Sequence, residues 1–89
     1  MERNLVLPPD FSEYAWEVEA KGVFWEATVL LDRNPVPVTF YDPSRLVQDV
    51  SEELANRVGF ELRRTLVIPT LTEDNMRRAV ERASYEFFR

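Results

Sequence analysis

Carboxylates are the side chains most able to support chemistry here, because the 89 residues include neither histidine nor cysteine. The two absences exclude an imidazole proton shuttle, a thiolate metal ligand and nucleophilic pairs of the Ser-His and Cys-His types. Two glycines are too few for a phosphate-binding loop. We therefore expect a non-enzymatic protein with no catalytic residue, no cofactor and no metal site.

The carboxylates closest to forming a site are Glu17 and Glu26. The strand pairing described below sets them opposite each other, with Tyr41 next across the sheet and with Glu19 opposite Phe24. Two carboxylates directly across a ladder repel, so one could keep its proton or both could share a cation. A carboxylate-based small-ligand or metal binder is therefore one alternative function. A solvated acidic face is the plainer interpretation.

The same predicted sheet face also carries large apolar side chains. Such faces are often covered by a partner, and a second copy of the chain is the simplest cover. Scattered exposure of large side chains is the alternative. We expect a protein-interaction domain, homodimeric and of bacterial type. Its candidate interaction surface consists of Glu17, Glu19, Phe24, Glu26, Leu30, Pro37 and Tyr41.

The chain is acidic, with a net charge of -5 and an isoelectric point of about 4.7. Phosphate backbones repel such a domain, which argues against nucleic-acid binding. An acidic inhibitor or chaperone-like protein for a basic partner is therefore a second alternative. The arginines within 63–64 and 77–82 are interleaved with acids, a pattern typical of a salt-bridged helix surface.

Features of export are missing from the sequence. Met1–Asn4 precedes only three apolar residues, and no run approaches the roughly 20 that span a bilayer. The lack of cysteine fits a reducing compartment. We expect a cytoplasmic protein with no membrane association.

The first predicted structural unit is a β-hairpin. Alternating apolar side chains predict strands over 14–20 and 23–31, joined by a turn at Lys21-Gly22. This register pairs Val18 with Trp25, apolar against apolar. It places Trp16 and Trp25 on the core face, so we interpret them as core residues rather than as an aromatic cage for a cation.

A third strand is expected to continue an antiparallel meander. Asp32–Pro35 is rich in turn-forming residues and predicts a four-residue loop. Val29 then pairs with Val38, which keeps the apolar face continuous. Pro37 lacks an N–H, which predicts an edge strand at that point.

Two helices and a fourth strand are expected to complete the chain. Asp42 as N-cap and Pro43 at the first helical position begin one helix. Its apolar stripe and terminal glycine consist of Leu46, Val47, Val50, Leu54, Val58 and Gly59. A short strand over 66–68 follows, and Thr72 caps the last helix. The inward stripe of that helix consists of Met76, Ala79, Val80, Ala83 and Phe87.

The expected fold class is α+β, with the order βββαβα and with the helices packed on one face of the sheet. A right-handed crossover would set the fourth strand parallel to the first, in the spatial order 3-2-1-4. We expect one domain over 1–89, with an extended N-terminal arm over 1–10. Tyr85 and Phe88 cannot share the core-facing side of the last helix, so one of them is a candidate anchor for a partner.

Overall fold

One four-stranded sheet organises the fold, with helices between and after its strands. The structure is a computed structural model that describes residues 2–57 and 59–89. Over these residues the elements are β1 (Arg3–Val6), α1 (Phe11–Lys21), β2 (Val23–Leu31), β3 (Asn34–Tyr41), α2 (Pro43–Asn56), β4 (Thr65–Val67), α3 (Glu73–Arg82) and a 3₁₀ helix (Tyr85–Phe88). The predicted α+β class is confirmed, with a mixed sheet and three α-helices. The order of elements differs from βββαβα.

The segment predicted to be the first strand is a helix. Its more buried residues follow the i, i+3, i+4, i+7 spacing of a helix: Phe11, Tyr14, Ala15 and Val18. The alternation of apolar and polar residues begins at Tyr14, after Phe11. The helical spacing was missed because Phe11, its first member, lies outside that alternating segment. Gly22, expected in a hairpin turn, has a φ of 74° and ends the helix, with its N–H donating to the Val18 carbonyl at 3.0 Å. The predicted hairpin with residues 23–31 is therefore wrong.

The N-terminal arm supplies the strand that α1 does not. β1 pairs antiparallel with β2, in a register that sets Leu5 against Val29. Arg3 ties this strand to the end of α3, because its Nη1 donates to the carbonyls of Val80 at 2.9 Å and Ala83 at 2.6 Å. Carbonyls at a helix end have no partner within the helix, so they accept outside donors.

β2 and β3 form the central hairpin. Its turn residues Asp32 and Arg33 have φ values of 49° and 77°, which fit a two-residue hairpin turn rather than the four-residue loop that we predicted. Val29 therefore pairs with Val36 and not with Val38. A shift of two residues leaves every side chain on its own face, so Val29 and Val38 are both buried, as expected.

β4 lies beside β3 and not beside β1. Parallel pairing sets Tyr41 against Val67, so the sheet order is β1-β2-β3-β4 and the predicted order 3-2-1-4 is wrong. The strand occupies Thr65–Val67 rather than 66–68. A crossover through α2 brings consecutive parallel strands together. Because β4 pairs only with the last part of β3, β3 has an open edge at Pro37, where the missing N–H predicted one.

The predicted starts of the two later helices are confirmed. Asp42 caps α2, with its Oδ1 accepting from the Arg45 N–H at 2.7 Å, and Pro43 takes the first helical position. Thr72 caps α3, with its hydroxyl accepting from the Asn75 N–H at 3.2 Å. Both caps are local signals that need no tertiary information.

Both of these helices end earlier than predicted. α2 ends at Asn56, so Gly59 is not its cap, and Val58 lies outside the described residues. α3 ends at Arg82, and Phe87 belongs to the 3₁₀ helix that follows. The change of backbone geometry lets Phe88 enter the core.

The core lies on one face of the sheet, under α1 and α3. Its buried members are Leu5, Phe11, Val18, Phe24, Ala27, Val29, Val36, Val38, Phe40, Ile68, Leu71, Met76, Val80 and Phe88. No described side chain of α2 belongs to it. The prediction that the helices share one face is therefore wrong for α2. Within the two described ranges, none of the helices combines the length and the apolar surface that a membrane crossing requires.

The two tryptophans are on the surface, which corrects their assignment to the core. Trp16 lies on α1 and is 69% exposed, and Trp25 lies on β2 and is 60% exposed. Between Phe24 and Ala27, β2 contains one residue more than β3. Such a β-bulge redirects side chains, and here it turns Trp25 and Glu26 away from the core.

Candidate interaction surfaces

The seven residues of the predicted interaction surface do not share a face. Glu17 and Glu19 are exposed on α1. Phe24 is buried in the core, with its ring 5.3 Å from the ring of Phe11. The single surface was derived from a strand over 14–20, and it is wrong because that segment is helical.

Three of the seven lie on the outer face of the sheet, opposite the core. Leu30 is half-buried, Pro37 is exposed and Tyr41 is buried. Each neighbours a core residue along its strand, and alternation therefore turns it to the other face. The outer face is open near Pro37 and covered at Tyr41.

A polar network covers Tyr41 and docks α2 on the outer face. The Tyr41 hydroxyl donates to Asp49 Oδ2 at 2.7 Å, and Arg45 Nε donates to Asp49 Oδ1 at 2.8 Å. Arg45 Nη1 also donates to the Lys21 carbonyl at 3.2 Å. Burial, together with the bond to Asp49, raises the pKa of Tyr41 to about 12. Burial opposes ionisation of Asp49, but the bonds from Tyr41 and Arg45 outweigh it and lower the pKa of that carboxyl.

This anchor decides which side of α2 faces solvent. At about 100° per residue, Val47 and Leu54 lie about 160° and 140° around the axis from Asp49. They are 65% and 54% exposed, whereas Leu46 and Val50, nearer to Asp49, are half-buried. None of the side chains of α2 is fully buried. Only the Val47 and Leu54 side of the stripe that we predicted to face the core therefore faces outward.

Exposed apolar side chains occur on α2, on β4 and on the segment between them. Val67 pairs with Tyr41 and so lies beside the anchor of α2 on the outer face. Leu62 precedes β4 and is exposed as well. We refer to this exposed set as the α2–β4 patch: Val47, Leu54, Leu62 and Val67.

β4 also presents a free edge next to the patch. Its hydrogen bonds to β3 use the Arg64 carbonyl and the Ile68 N–H. Backbone groups alternate in direction along a strand, so those of Thr65 and Val67 point to the opposite edge. No other described strand pairs with that edge.

Glu17 and Glu26 do line the same site, although they do not face each other across a strand ladder. Together with Tyr14 and Trp25 they line a pocket of about 200 Å³ between α1 and β2. Neither carboxylate forms an ion pair with a described residue. Tyr41, which we expected beside them, lies in the α2 network instead. We refer to this site as the α1–β2 pocket.

The described residues include no cluster of three or more potential metal ligands. Comparison with known proteins finds no match, whether among protein-family models, curated proteins or solved structures.

Proposed function

We propose that this chain is a non-enzymatic protein-interaction domain and that it forms a homodimer through the α2–β4 patch. The observation that carries the proposal is the exposed side of the apolar stripe of α2, where the described part of the chain leaves Val47 and Leu54 mostly uncovered. A surface helix is normally stabilised by burying such a stripe. A partner that covers Val47 and Leu54 would supply that burial, at about 25 cal/mol for each Å² removed from water.

The distribution of charge indicates which side of the chain could meet a second copy. The whole chain carries a net charge of -5, so two copies repel each other in most orientations. Residues 43–67, which contain the patch, hold four arginines and four acidic residues and so have no net charge. Two copies that approach through this side therefore meet the least repulsion.

The free edge of β4 suits a two-fold axis. An axis near Leu66 would set Thr65 of one copy against Val67 of the other, in both directions. These are the residues whose backbone groups point away from β3, so antiparallel pairing would satisfy them. The two sheets would become one, with both α2 helices on its outer face. An open edge strand would at the same time be protected from unspecific pairing.

The mass in solution tests this proposal. We expect sedimentation of the wild-type chain to give about 21 kDa, twice the 10.5 kDa of one copy. Val47→Glu places a charge within the patch and should weaken the dimer at least about ten-fold, because the charge would lose water on association. Gln48→Glu adds the same charge at the next position, which is exposed and about 100° away around α2. This control should remain dimeric.

Circular dichroism of both variants separates a lost interface from a lost fold. Unchanged helicity with a monomer mass only for Val47→Glu supports the patch. A wild-type monomer at sub-millimolar concentration contradicts the proposal, as does equal dissociation of the two variants.

A further inference from the structure

The α1–β2 pocket is separate from the α2–β4 patch and has its own chemistry. We infer that it binds the side chain of an arginine from a basic partner protein. The residues that would hold the guanidinium are Glu17, Glu26, Trp25 and Tyr14.

Two departures from regular geometry meet at this pocket. The β-bulge of β2 turns both Trp25 and Glu26 outward. On the facing helix, Tyr14 has φ -128° and ψ 17°, which interrupts α1 one turn before Val18. A regular strand would direct either Trp25 or Glu26 into the core, so the bulge is what allows both to line one pocket.

The pocket carries a net negative charge that favours a cation, because Glu17 and Glu26 outnumber Lys21 among its lining residues. Glu17 and Glu26 are exposed carboxylates without an ion-pair partner among the described residues. Burial, and then the negative charges of Asp10 and Glu26, raise the pKa of the Tyr14 phenol.

Arginine fits these groups better than other cations do. Its planar guanidinium can donate to two carboxylates while stacking on an indole face, and Trp25 offers such a face, 60% exposed. A quaternary ammonium group has no N–H to donate to the glutamates. A metal ion would need further ligands, and the described residues offer no cluster of three.

The size of the pocket points to one side chain rather than a whole metabolite. Sites for small molecules typically enclose about 300–1,000 Å³, whereas this pocket measures about 200 Å³. A chain with a net charge of -5 also attracts basic proteins over a long range. The arginine of a basic partner satisfies both conditions.

Lys21 allows a test in which removing a positive charge should strengthen binding rather than weaken it. It lines the same pocket at the end of α1 and makes no ion pair with a described residue. Its positive charge opposes an incoming guanidinium. Lys21→Gln should therefore tighten binding, whereas Glu17→Gln and Glu26→Gln should weaken it.

The two indole N–H signals allow binding to be read in one NMR titration of the full chain. N-acetyl-arginine amide should shift the Trp25 signal saturably and leave Trp16 in place, because Trp16 does not line the pocket. N-acetyl-citrulline amide has nearly the same shape without the charge and should cause no saturable shift. The double variant Glu17→Gln, Glu26→Gln should lose affinity at least ten-fold. Glu19→Gln, exposed on the same helix, should stay within two-fold of the wild type.

Three results would overturn the inference: equal shifts with citrulline, equal shifts of both tryptophans, or unchanged affinity in the double variant. The dimer is tested independently, because Val47→Glu leaves the pocket intact. Arginine binding by a monomeric Val47→Glu chain would support the pocket and the patch together. Failure of the titration in a chain that does dimerise would remove only the pocket.

Discussion

At the scale of single residues, Tyr41 shows how a buried polar contact positions a helix. Its hydroxyl donates to Asp49, and Asp49 also accepts from Arg45. Because these polar side chains face the sheet, the side of α2 that carries Val47 and Leu54 is left to face solvent. The sequence contains a signal for this arrangement, since Arg45 and Asp49 are four residues apart and carry opposite charges. We interpreted the neighbouring apolar stripe as the buried side, because stripes usually are.

Tyr41→Phe should lower the free energy of unfolding by about 1–2 kcal/mol at neutral pH, through loss of the bond to Asp49. In the wild type, the folded chain holds the phenolic proton until about pH 12, whereas the ordinary pKa is 10.0. Between these values the unfolded chain loses the proton first, so stability falls as pH rises. The variant should lack this part of the fall. Urea unfolding at several pH values measures it.

Tyr85→Phe is the matched control for this prediction. The Tyr85 side chain is exposed, and its hydroxyl forms no hydrogen bond with a described residue. Stability at neutral pH should therefore be unchanged within about 0.5 kcal/mol. An alkaline fall as steep in Tyr41→Phe as in the wild type would show that the phenol is not held by this network.

At the scale of elements, Arg3 links the first strand to the last helix. Its guanidinium reaches three carbonyls at the end of α3, those of Val80, Glu81 and Ala83. It also lies over the ring of Phe88, 5.0 Å from the ring centre. One side chain therefore caps α3 and holds the 3₁₀ helix against the edge of the sheet.

Arg3→Met keeps most of the aliphatic stem and removes the donors. We expect the free energy of unfolding to fall by about 1–3 kcal/mol, because part-buried helix-end carbonyls lose charged hydrogen bonds. Amide hydrogen exchange over 80–89 should become faster than elsewhere. Arg82→Met is the control, since Arg82 is exposed at the end of the same helix. Equal effects of the two changes would contradict the linking role of Arg3.

Elements with local signals were predictable, and elements that depend on distant contacts were not. The caps at Asp42 and Thr72 are encoded within a few residues and were predicted. The helix over 11–21 was misread because its residues also alternate, and a period of two competes with one of 3.6 over so short a span. The assumed strand over 14–20 also led us to place β4 beside the wrong strand. Parallel pairing leaves no turn in the sequence that would identify the partner of β4.

The candidate sites were likewise predictable only where a local sequence pattern determines them. Glu17 and Glu26 were paired through a register that does not exist, yet the structure brings them to one pocket because α1 packs beside β2. Trp25 was assigned to the core because regular alternation places it there. The β-bulge that changes its direction has no local signal in the sequence. The outward stripe of α2 could be recognised as apolar from sequence, but its exposure depends on the contact between Asp49 and Tyr41.

At the scale of the whole molecule, the two proposed surfaces divide the charge of the chain between them. The segment 43–67 is neutral, so the entire net charge of -5 belongs to the remainder. That remainder contains the α1–β2 pocket. Self-association through a neutral side and attraction of a basic partner to an acidic side can therefore occur together in one chain.

Ionic strength should move the two equilibria in opposite directions. The screening length falls from about 30 Å at 0.01 M salt to about 3 Å at 1 M, and the radius of gyration is 13.5 Å. Charges across a dimer therefore repel appreciably at 0.01 M and hardly at 1 M, so dimerisation through the α2–β4 patch should strengthen with salt. Binding of N-acetyl-arginine amide should weaken several-fold over the same range, because screening removes its attraction to Glu17 and Glu26.

Sedimentation and the Trp25 signal measure the two constants on the same samples. Val47→Glu should remain monomeric at 1 M salt, which separates the patch from general salting-out. A dimer that dissociates as salt rises would instead be held by ion pairs, and the apolar patch would not be its interface.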